Sequence, residues 1–124
     1  MDSPTLHLIN AHASVRRYKP DPVPASLVDA IVHAGQRAST SSNMQTYSVI
    51  ATTNEEKRLA LSKIAGGQKQ VAQAPLFLTW CADRFRLNHV CELRGYTQNI
   101  STLENFLVAA VDAAIAAQNT ALAA

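Results

Sequence analysis

Hydrophobic residues recur at helical spacing in the first third of the chain. Residues 4–11 predict a short helix, because Ser3 is a suitable N-cap and a proline follows it at the first helical position. The proline-rich residues 19–24 predict an irregular connector. Residues 25–34 then predict an amphipathic helix that Gly35 helps to end. Its predicted core face consists of Leu27, Val28 and Ile31.

The middle of the chain predicts strands alternating with helices. Residues 47–53 are rich in β-branched side chains and predict a strand, after which Asn54 can cap a helix. Two glycines at 66–67 stop that helix, and residues 68–74 predict a short second one. Residues 76–81 form a nearly unbroken apolar run, which predicts a strand buried on both faces at the centre of the sheet. The apolar positions of the helix after Asn54 are Leu59, Leu61 and Ile64.

The last quarter of the chain predicts a long helix that is apolar nearly all round. Residues 83–98 precede it and predict a helix of mixed composition. A helix like that over residues 100–124 must be enclosed by a core or by a second subunit. Asp112 within it needs a partner or an exit to solvent, and it is expected to face a helix N-terminus or a polar group. No apolar run approaches the roughly 20 residues of a membrane span. The apolar residues form two stripes: Leu103, Leu107, Val111 and Ile115, with Phe106, Ala110 and Ala114 beside them.

Composition predicts one small globular domain of 124 residues, 48% of them hydrophobic. A formal charge of +2 gives no basic field of the kind that binds nucleic acid. With two cysteines and no signal-peptide layout, the chain is expected to be cytoplasmic and not associated with a membrane. It ends at Ala124 with no capping residue or polar tail, so a truncation is expected.

Short motifs with known mechanics for dinucleotides, phosphates and metals are absent from the sequence. The four histidines have no metal-ligand spacing, so no metal site is predicted. Cys81 lies in the apolar run and is interpreted as a small core residue. No catalytic side chain can be assigned.

Two segments carry candidate binding chemistry. Residues 12–18 (HASVRRY) present a hydroxyl and two cations that can face one anion together. The alternative is that Arg16 and Arg17 pair with surface carboxylates. Residues 66–70 place two glycines before a helix start, whose free backbone amides favour a negative partner, although this signal is weak alone.

These segments, joined by the hydroxyl run STSSN at 39–43, closely resemble the oxygen-insensitive NADPH nitroreductases and related flavin reductases. The order and spacing of four segments match: HASVRRY (12–18), GQRASTSSNMQ (35–45), AGGQKQVA (65–72) and FLTWCAD (77–83). The resemblance implies an α+β nitroreductase-like fold, with a central sheet, flanking helices and a long apolar interface helix. Residues 1–124 would be the N-terminal part of a single domain of this kind, which forms an intertwined homodimer with FMN at the subunit interface.

The resemblance also implies a role for each matching residue. His12 and Ser14 would face the FMN phosphate, and Arg16 would lie near the pyrimidine edge of the flavin, where a cation favours the negatively charged reduced form. Thr40 and Gln45 would approach the flavin from one subunit, and residues 68–70 from the other. The implied cofactor-binding set is His12, Ala13, Ser14, Arg16, Thr40, Gln45, Gln68, Lys69 and Gln70.

Two positions in this set depart from the family pattern. Ala13 occupies a position where members of the family tend to carry a second arginine. The alanine weakens binding of the phosphate, although Arg17 can partly substitute for that arginine. Thr40 stands for a serine and keeps the hydroxyl group.

The implied activity is two-electron reduction of small-molecule electron acceptors, namely nitroaromatics, quinones or flavins. Hydride would pass from NADPH or NADH to FMN and then to the acceptor. The alternative from another class is a non-catalytic, half-length flavoprotein relative or fragment. Such a chain would act as a dimeric flavin-binding or structural module.

Overall fold

The computed structural model describes residues 2–124, which form six α-helices, one 3-10 turn and two strands. The chain forms two compact units. The first consists of the residues up to Asp29 together with Ala51–Leu78, and the second consists of Ala30–Ile50 together with Thr79–Ala124. The elements in chain order are α1 (Pro4–Asn10), α2 (Ala25–Gln36), the 3-10 turn (Ser41–Asn43), β1 (Tyr47–Thr52), α3 (Glu55–Ile64), α4 (Lys69–Gln73), β2 (Phe77–Ala82), α5 (Arg84–Leu93) and α6 (Leu103–Ala123).

The predicted caps are confirmed in the first unit. The Ser3 hydroxyl accepts a hydrogen bond from the backbone N–H of Leu6 at 3.2 Å and so starts α1. Asn54 caps α3 in the same way, since its side-chain oxygen accepts from the N–H of Lys57 at 2.9 Å. Gly66 follows α3 with a φ of +76°, a conformation that glycine adopts without strain. These helix ends are therefore set by local sequence.

Side-chain to backbone bonds fasten the α3–α4 region of the first unit. The Ser62 hydroxyl is buried and donates to the carbonyl of Gln68 at 2.7 Å, across the turn between the helices. The Arg58 guanidinium donates to the carbonyls of Thr53 and Pro75. The start of α4 therefore has a fixed position relative to α3.

The two strands form one antiparallel sheet. They are hydrogen-bonded neighbours, and the N–H of Asp83, directly after β2, donates at 2.9 Å to the carbonyl of Thr46, directly before β1. The first five residues of β2 are only half-buried. The prediction that residues 76–81 form a central strand buried on both faces is wrong for this chain. An apolar run favours burial, but described residues 2–124 supply only one neighbouring strand.

The second unit has a small core between the sheet and α6. Tyr47, Ala113 and Ala116 are buried together, with Trp80 packed against them. The rings of Tyr47 and Trp80 lie 5.5 Å apart at a tilt of 53°, within the range of favourable aromatic pairs. Arg84 of α5 donates to the carbonyl of Ile100 at 2.7 Å and so ties α5 to the segment that leads into α6.

Gly35 has a different role from the one predicted. It is buried inside α2, which continues to Gln36, so the prediction that Gly35 ends the helix is wrong. A Cβ at this position would lie 2.1 Å from the Thr120 hydroxyl and 3.0 Å from the Ala116 carbonyl oxygen. Glycine is needed for close approach to α6. In the predicted core face of α2, Ile31 is buried, whereas Leu27 is 50% exposed, which corrects its assignment.

We expect Gly35→Ala to destabilise the fold by about 2 kcal/mol, because overpacking of a close helix contact forces backbone or side-chain shifts. Thermal or denaturant unfolding measures the loss. In the double variant Gly35→Ala/Thr120→Ala the loss should be smaller than the sum of the two single losses, because the closest contact is removed. An additive result would contradict the proposed contact, and Gln36→Ala, an exposed neighbour, serves as the control.

The long helix α6 buries its small residues and exposes its large ones. The two predicted apolar stripes remain largely exposed, with Leu107 at 52% and Val111 at 53%, so the core of this chain encloses neither of them. Alanine permits closer helix packing than leucine or valine, which explains why the alanine face is inside. The buried face consists of Ala109, Asp112, Ala113, Ala116 and Thr120.

By length and composition alone, α6 could cross a membrane, contrary to the expectation that no apolar run is long enough. Core helices of soluble proteins meet the same criterion. The buried face of α6 contains a carboxylate with protein hydrogen-bond partners. Such partners favour a helix packed within a protein over one surrounded by lipid.

The predicted helix over residues 83–98 is shorter in the structure. It spans Arg84–Leu93, and Gly95 follows with a φ of +76°, which ends the helical path before Gln98. Asp83 is its N-cap. The prediction of a helix here is confirmed, and its C-terminal boundary is corrected.

Candidate functional site

The hydroxyl run lies in an irregular loop between α2 and β1, residues 39–46, which we call the hydroxyl loop. Three of its non-glycine residues have left-handed backbone angles: Ser42 at φ +50°, Asn43 at +55° and Gln45 at +52°. Each such residue costs about 1–3 kcal/mol and persists only where the surrounding structure holds it. The loop carries two predicted flavin contacts, Thr40, half-buried before the turn, and Gln45, exposed after it.

Asp112 of α6 holds this loop from inside the second unit. The carboxylate is 2% exposed, and its Oδ1 accepts a hydrogen bond from the backbone N–H of Ser41 at 3.1 Å. Its Oδ2 accepts from the Thr46 hydroxyl at 3.4 Å. The prediction that Asp112 needs a polar partner is confirmed, and the two partners flank the left-handed residues.

A cavity of about 400 Å³ lies between the hydroxyl loop and α6. One wall is formed by three residues of the hydroxyl loop and the other by apolar side chains of the long helix, and the surface that lines the cavity is almost entirely apolar. The lining residues are Ser39, Thr40, Ser41, Leu107, Val108, Val111, Asp112 and Ile115.

A second cavity of about 440 Å³ is lined in part by Gln45 and is largely polar. Arg86, from the first turn of α5, lines it and donates to the carbonyl of Gln45. Arg37 and His33 of α2 also face this cavity, and both are exposed. Sequence reasoning missed Arg86, because a single arginine in a helix gives no signal of a contact 41 residues away.

Asp83 organises the sheet end beside this cavity. Its Oδ2 accepts from the Ser48 hydroxyl at 2.5 Å, and its Oδ1 accepts from the N–H of Arg86 at 3.0 Å. These bonds, the Ser48 one foremost, lower the pKa of Asp83 below its ordinary value. An aspartate after a strand and before a helix is a recognisable cap signal, so this residue was accessible to sequence reasoning and was overlooked.

We expect Asp83 to contribute to acid sensitivity. Because its folded pKa is lower than its unfolded value of about 3.9, its contribution is present above that value and is lost as the pH falls through the folded pKa. Asp83→Asn keeps a capping oxygen and should flatten the acid limb of the stability curve. Ser48→Ala should move that limb to higher pH. Identical pH dependence in all three proteins, measured by denaturant unfolding between about pH 2 and 6, would contradict this role.

The remaining predicted site residues lie in the first unit. Residues 12–16 follow α1 in a segment without regular structure, and every side chain there is exposed. Gln68 is at the N-cap position of α4, with Lys69 in the first turn, and both are exposed. The Gln70 side chain donates to that of Gln68 at 2.7 Å.

The structure brings some of the predicted residues near one another and leaves others without a demonstrated contact. Thr40 and Gln45 share the hydroxyl loop, and residues 68–70 share the start of α4. Over residues 2–124, no hydrogen bond joins Arg16 to Gln68 or Lys69, so their placement in one pocket stays a prediction. Ala13 can contribute only its backbone.

The donor chemistry of the predicted site residues fits FMN. Imidazole, hydroxyl, guanidinium, ammonium and amide groups are the donors that a phosphate and the polar edge of a flavin require. Of the described residues, neither Arg16 nor Arg17 has a carboxylate within 4 Å, so the alternative of a surface ion pair finds no support. The same part of the chain contains no group of three potential metal ligands.

The chain belongs to the nitroreductase family. Its sequence matches that family over residues 9–124. Its fold is a nitroreductase fold, since it superimposes on B. megaterium NfrA2 with a TM-score of 0.94 at 34% identity, covering 98% of this chain and 50% of that one. The α+β architecture implied by the resemblance is therefore confirmed, and the chain spans about half the length of these structures.

Its sequence relatives include named flavin and nitro reductases. An FMN reductase (NADPH) of Bacillus subtilis is 37% identical over 97% of this chain and 49% of its own length. An oxygen-insensitive NADPH nitroreductase of Salmonella typhimurium is also 37% identical, over 98% of this chain and 49% of its own. The NADPH:FMN oxidoreductase of Vibrio harveyi, solved with NAD+, superimposes with a TM-score of 0.86 at 37% identity over 97% of this chain and 50% of its own.

Proposed function

We propose that this chain is part of an FMN-dependent NAD(P)H oxidoreductase that reduces nitroaromatics, quinones or flavins. The observation that carries the proposal is the 37% identity with an FMN reductase (NADPH) over nearly the whole chain. Bound FMN would supply the capacity to accept and pass on a hydride. Because the chain spans about half the length of such relatives, the activity is proposed for the protein that contains the complete site.

In this proposal the residues of the chain bind and orient the cofactor. His12 and Ser14 donate to the phosphate, with Ala13 between them contributing backbone alone. Arg16 holds a positive charge near the pyrimidine edge of the ring, where it favours the reduced form. The exposure of all these residues supports this role, because their donors are accessible to a ligand.

The two other groups of residues complete the part of the pocket that this chain supplies. Thr40 and Gln45 of the hydroxyl loop approach the flavin from one subunit. The start of α4 approaches it from the other with Gln68, Lys69 and Gln70. No residue of the chain is proposed as a general acid or base.

We further propose a cytoplasmic homodimer that uses α6 as an interface helix. The support is the row of large apolar side chains that α6 leaves exposed, including Phe106 at 50% and Leu107 at 52%. Monomers rarely tolerate an extended apolar surface of this kind. Both cysteines are free, which agrees with a reducing compartment. The alternative of a non-catalytic module is not favoured, because the named relatives are reductases.

Spectroscopy and a steady-state assay test the proposed function. The purified protein should show flavin absorbance, release FMN on denaturation, and oxidise NADPH when a quinone or nitroaromatic is added. The assay should be repeated with NADH to establish the preferred donor. If the protein binds FMN to saturation but oxidises neither NADPH nor NADH, the catalytic part of the proposal would be contradicted.

A further inference from the structure

Asp112 is the most deeply buried ionisable group among the described residues with a defined exposure, and its partners are not on its own helix. Its two oxygens reach Ser41 and Thr46, which stand before and after the three left-handed residues of the hydroxyl loop. Burial of a carboxylate to this degree is costly unless its oxygens are hydrogen-bonded or paired with an opposite charge. The geometry shows what they hold: the two ends of a strained loop.

We propose that Asp112 is a positioning residue that fixes the hydroxyl loop in the conformation with which Thr40 and Gln45 contact the flavin. The inference rests on the proposed function and deepens it. Thr40 directly precedes one anchored residue, and Gln45 directly precedes the other. Displacement of either anchor therefore moves a predicted flavin contact by way of a single peptide link.

The physical argument starts from what loss of the carboxylate would leave behind. The N–H of Ser41 and the hydroxyl of Thr46 would lose their acceptors, and the buried hydroxyl would remain unsatisfied. The left-handed angles of Ser42, Asn43 and Gln45 would no longer be bracketed by fixed residues. The loop would then relax toward ordinary backbone angles, because these residue types prefer them.

A matched variant separates positioning from general stability. Thr120 is also buried on α6, at 4% exposed, and its hydroxyl donates only to the carbonyl of Ala116 in the same helix. Thr120→Val therefore perturbs the packing of α6 without touching the hydroxyl loop. Asp112→Asn tests charge against geometry, because its amide oxygen can accept from Ser41 while its N–H donates to the Thr46 hydroxyl.

The first measurement is amide hydrogen exchange of residues 41–46 in flavin-free protein. We expect Asp112→Ala to accelerate exchange of the Ser41 amide by about tenfold or more, since one charge-assisted hydrogen bond is lost. Thr120→Val should leave exchange in this loop unchanged relative to exchange elsewhere in the protein. Asp112→Asn should resemble the wild type. Unchanged exchange of the hydroxyl loop in Asp112→Ala would show that Asp112 does not fix this loop, whether or not flavin binds.

The second measurement is the Kd for FMN, from fluorescence titration of the same proteins. Asp112→Ala should raise the Kd about tenfold, and Asp112→Asn by no more than about threefold. Faster loop exchange with an unaltered Kd would overturn the positioning role. Failure of the wild type to bind FMN would overturn the proposed function. The exchange data would still decide whether Asp112 fixes the hydroxyl loop.

A variant at one anchor keeps the inference testable if Asp112→Ala does not fold. Thr46→Val removes the longer of the two bonds and preserves the shape of the side chain. It should raise the Kd by about threefold and accelerate exchange in the loop, with the Ser41 amide still partly protected. A Kd and exchange pattern equal to those of the wild type would contradict the role of Asp112 in fixing the hydroxyl loop.

Discussion

Val111→Glu is expected to raise the dissociation constant of the proposed homodimer at least about 100-fold, because an unpaired carboxylate buried in an apolar contact costs about 3 kcal/mol or more. Val111 is 53% exposed at the middle of the exposed face of α6, so the monomer should tolerate the change. Sedimentation or light scattering across a concentration series measures the shift.

Leu59→Glu is the matched control for this experiment. Leu59 is 50% exposed, close to the 53% of Val111, but it lies on α3 in the first unit. The control should leave the mass of the assembly unchanged. A wild-type protein that is monomeric at micromolar concentration would contradict an interface role for α6, as would a Val111→Glu variant that folds and keeps its dimeric mass.

Arg16→Ala is expected to weaken FMN binding by about tenfold to 100-fold, since charge-assisted hydrogen bonds contribute about 1.5–3 kcal/mol. It should also lower the reduction potential of the bound flavin, because a cation near the pyrimidine edge favours the negatively charged reduced form. A loss of 1.4 kcal/mol corresponds to about 30 mV for a two-electron couple. Fluorescence titration and a redox titration measure the two effects.

Lys19→Ala provides the control for loss of one positive charge in the same exposed segment. It should change neither the affinity nor the potential by a comparable amount. If Arg16 were engaged only in a surface ion pair, its removal would cost about 1 kcal/mol of stability or less and leave the flavin unaffected. That outcome would show that Arg16 does not contact the flavin in the proposed site.

Local sequence was sufficient to predict most element boundaries. Ser3 and Asn54 cap their helices through bonds to residues three positions ahead, which a short window of sequence contains. The glycines after α3 end it for an equally local reason, their positive φ angles. The boundaries of α1, α3 and α4 therefore followed from residue type and spacing alone.

Tertiary environment was harder to predict, because it depends on residues far away in the chain. Gly35 is itself a residue type common at helix ends, yet its function is to admit α6, whose Thr120 lies 85 positions later. The burial of alanine in preference to leucine on α6 has the same origin. The environment of β2 depends on the number of strands in the sheet, and the described residues supply only two.

In the candidate site too, local chemistry could be predicted from the sequence, whereas long-range contacts could not. Chemistry alone predicted that Asp112 needs a partner, but nothing in the sequence identified Ser41 and Thr46, which lie 71 and 66 residues away. The roles of His12, Arg16 and Gln68 came from the family resemblance. Membership of the nitroreductase family is now confirmed, while the individual contacts of these residues with flavin stay predictions.

Titration of the purified protein with FMN tests the central claim most directly. Flavin fluorescence should be quenched in a saturable manner to one FMN per chain, and the affinity should fall in Arg16→Ala but not in Lys19→Ala. Fluorescence that stays unquenched at every protein concentration, or quenching that is equal in all three proteins, would contradict the account of this chain as the carrier of an FMN site.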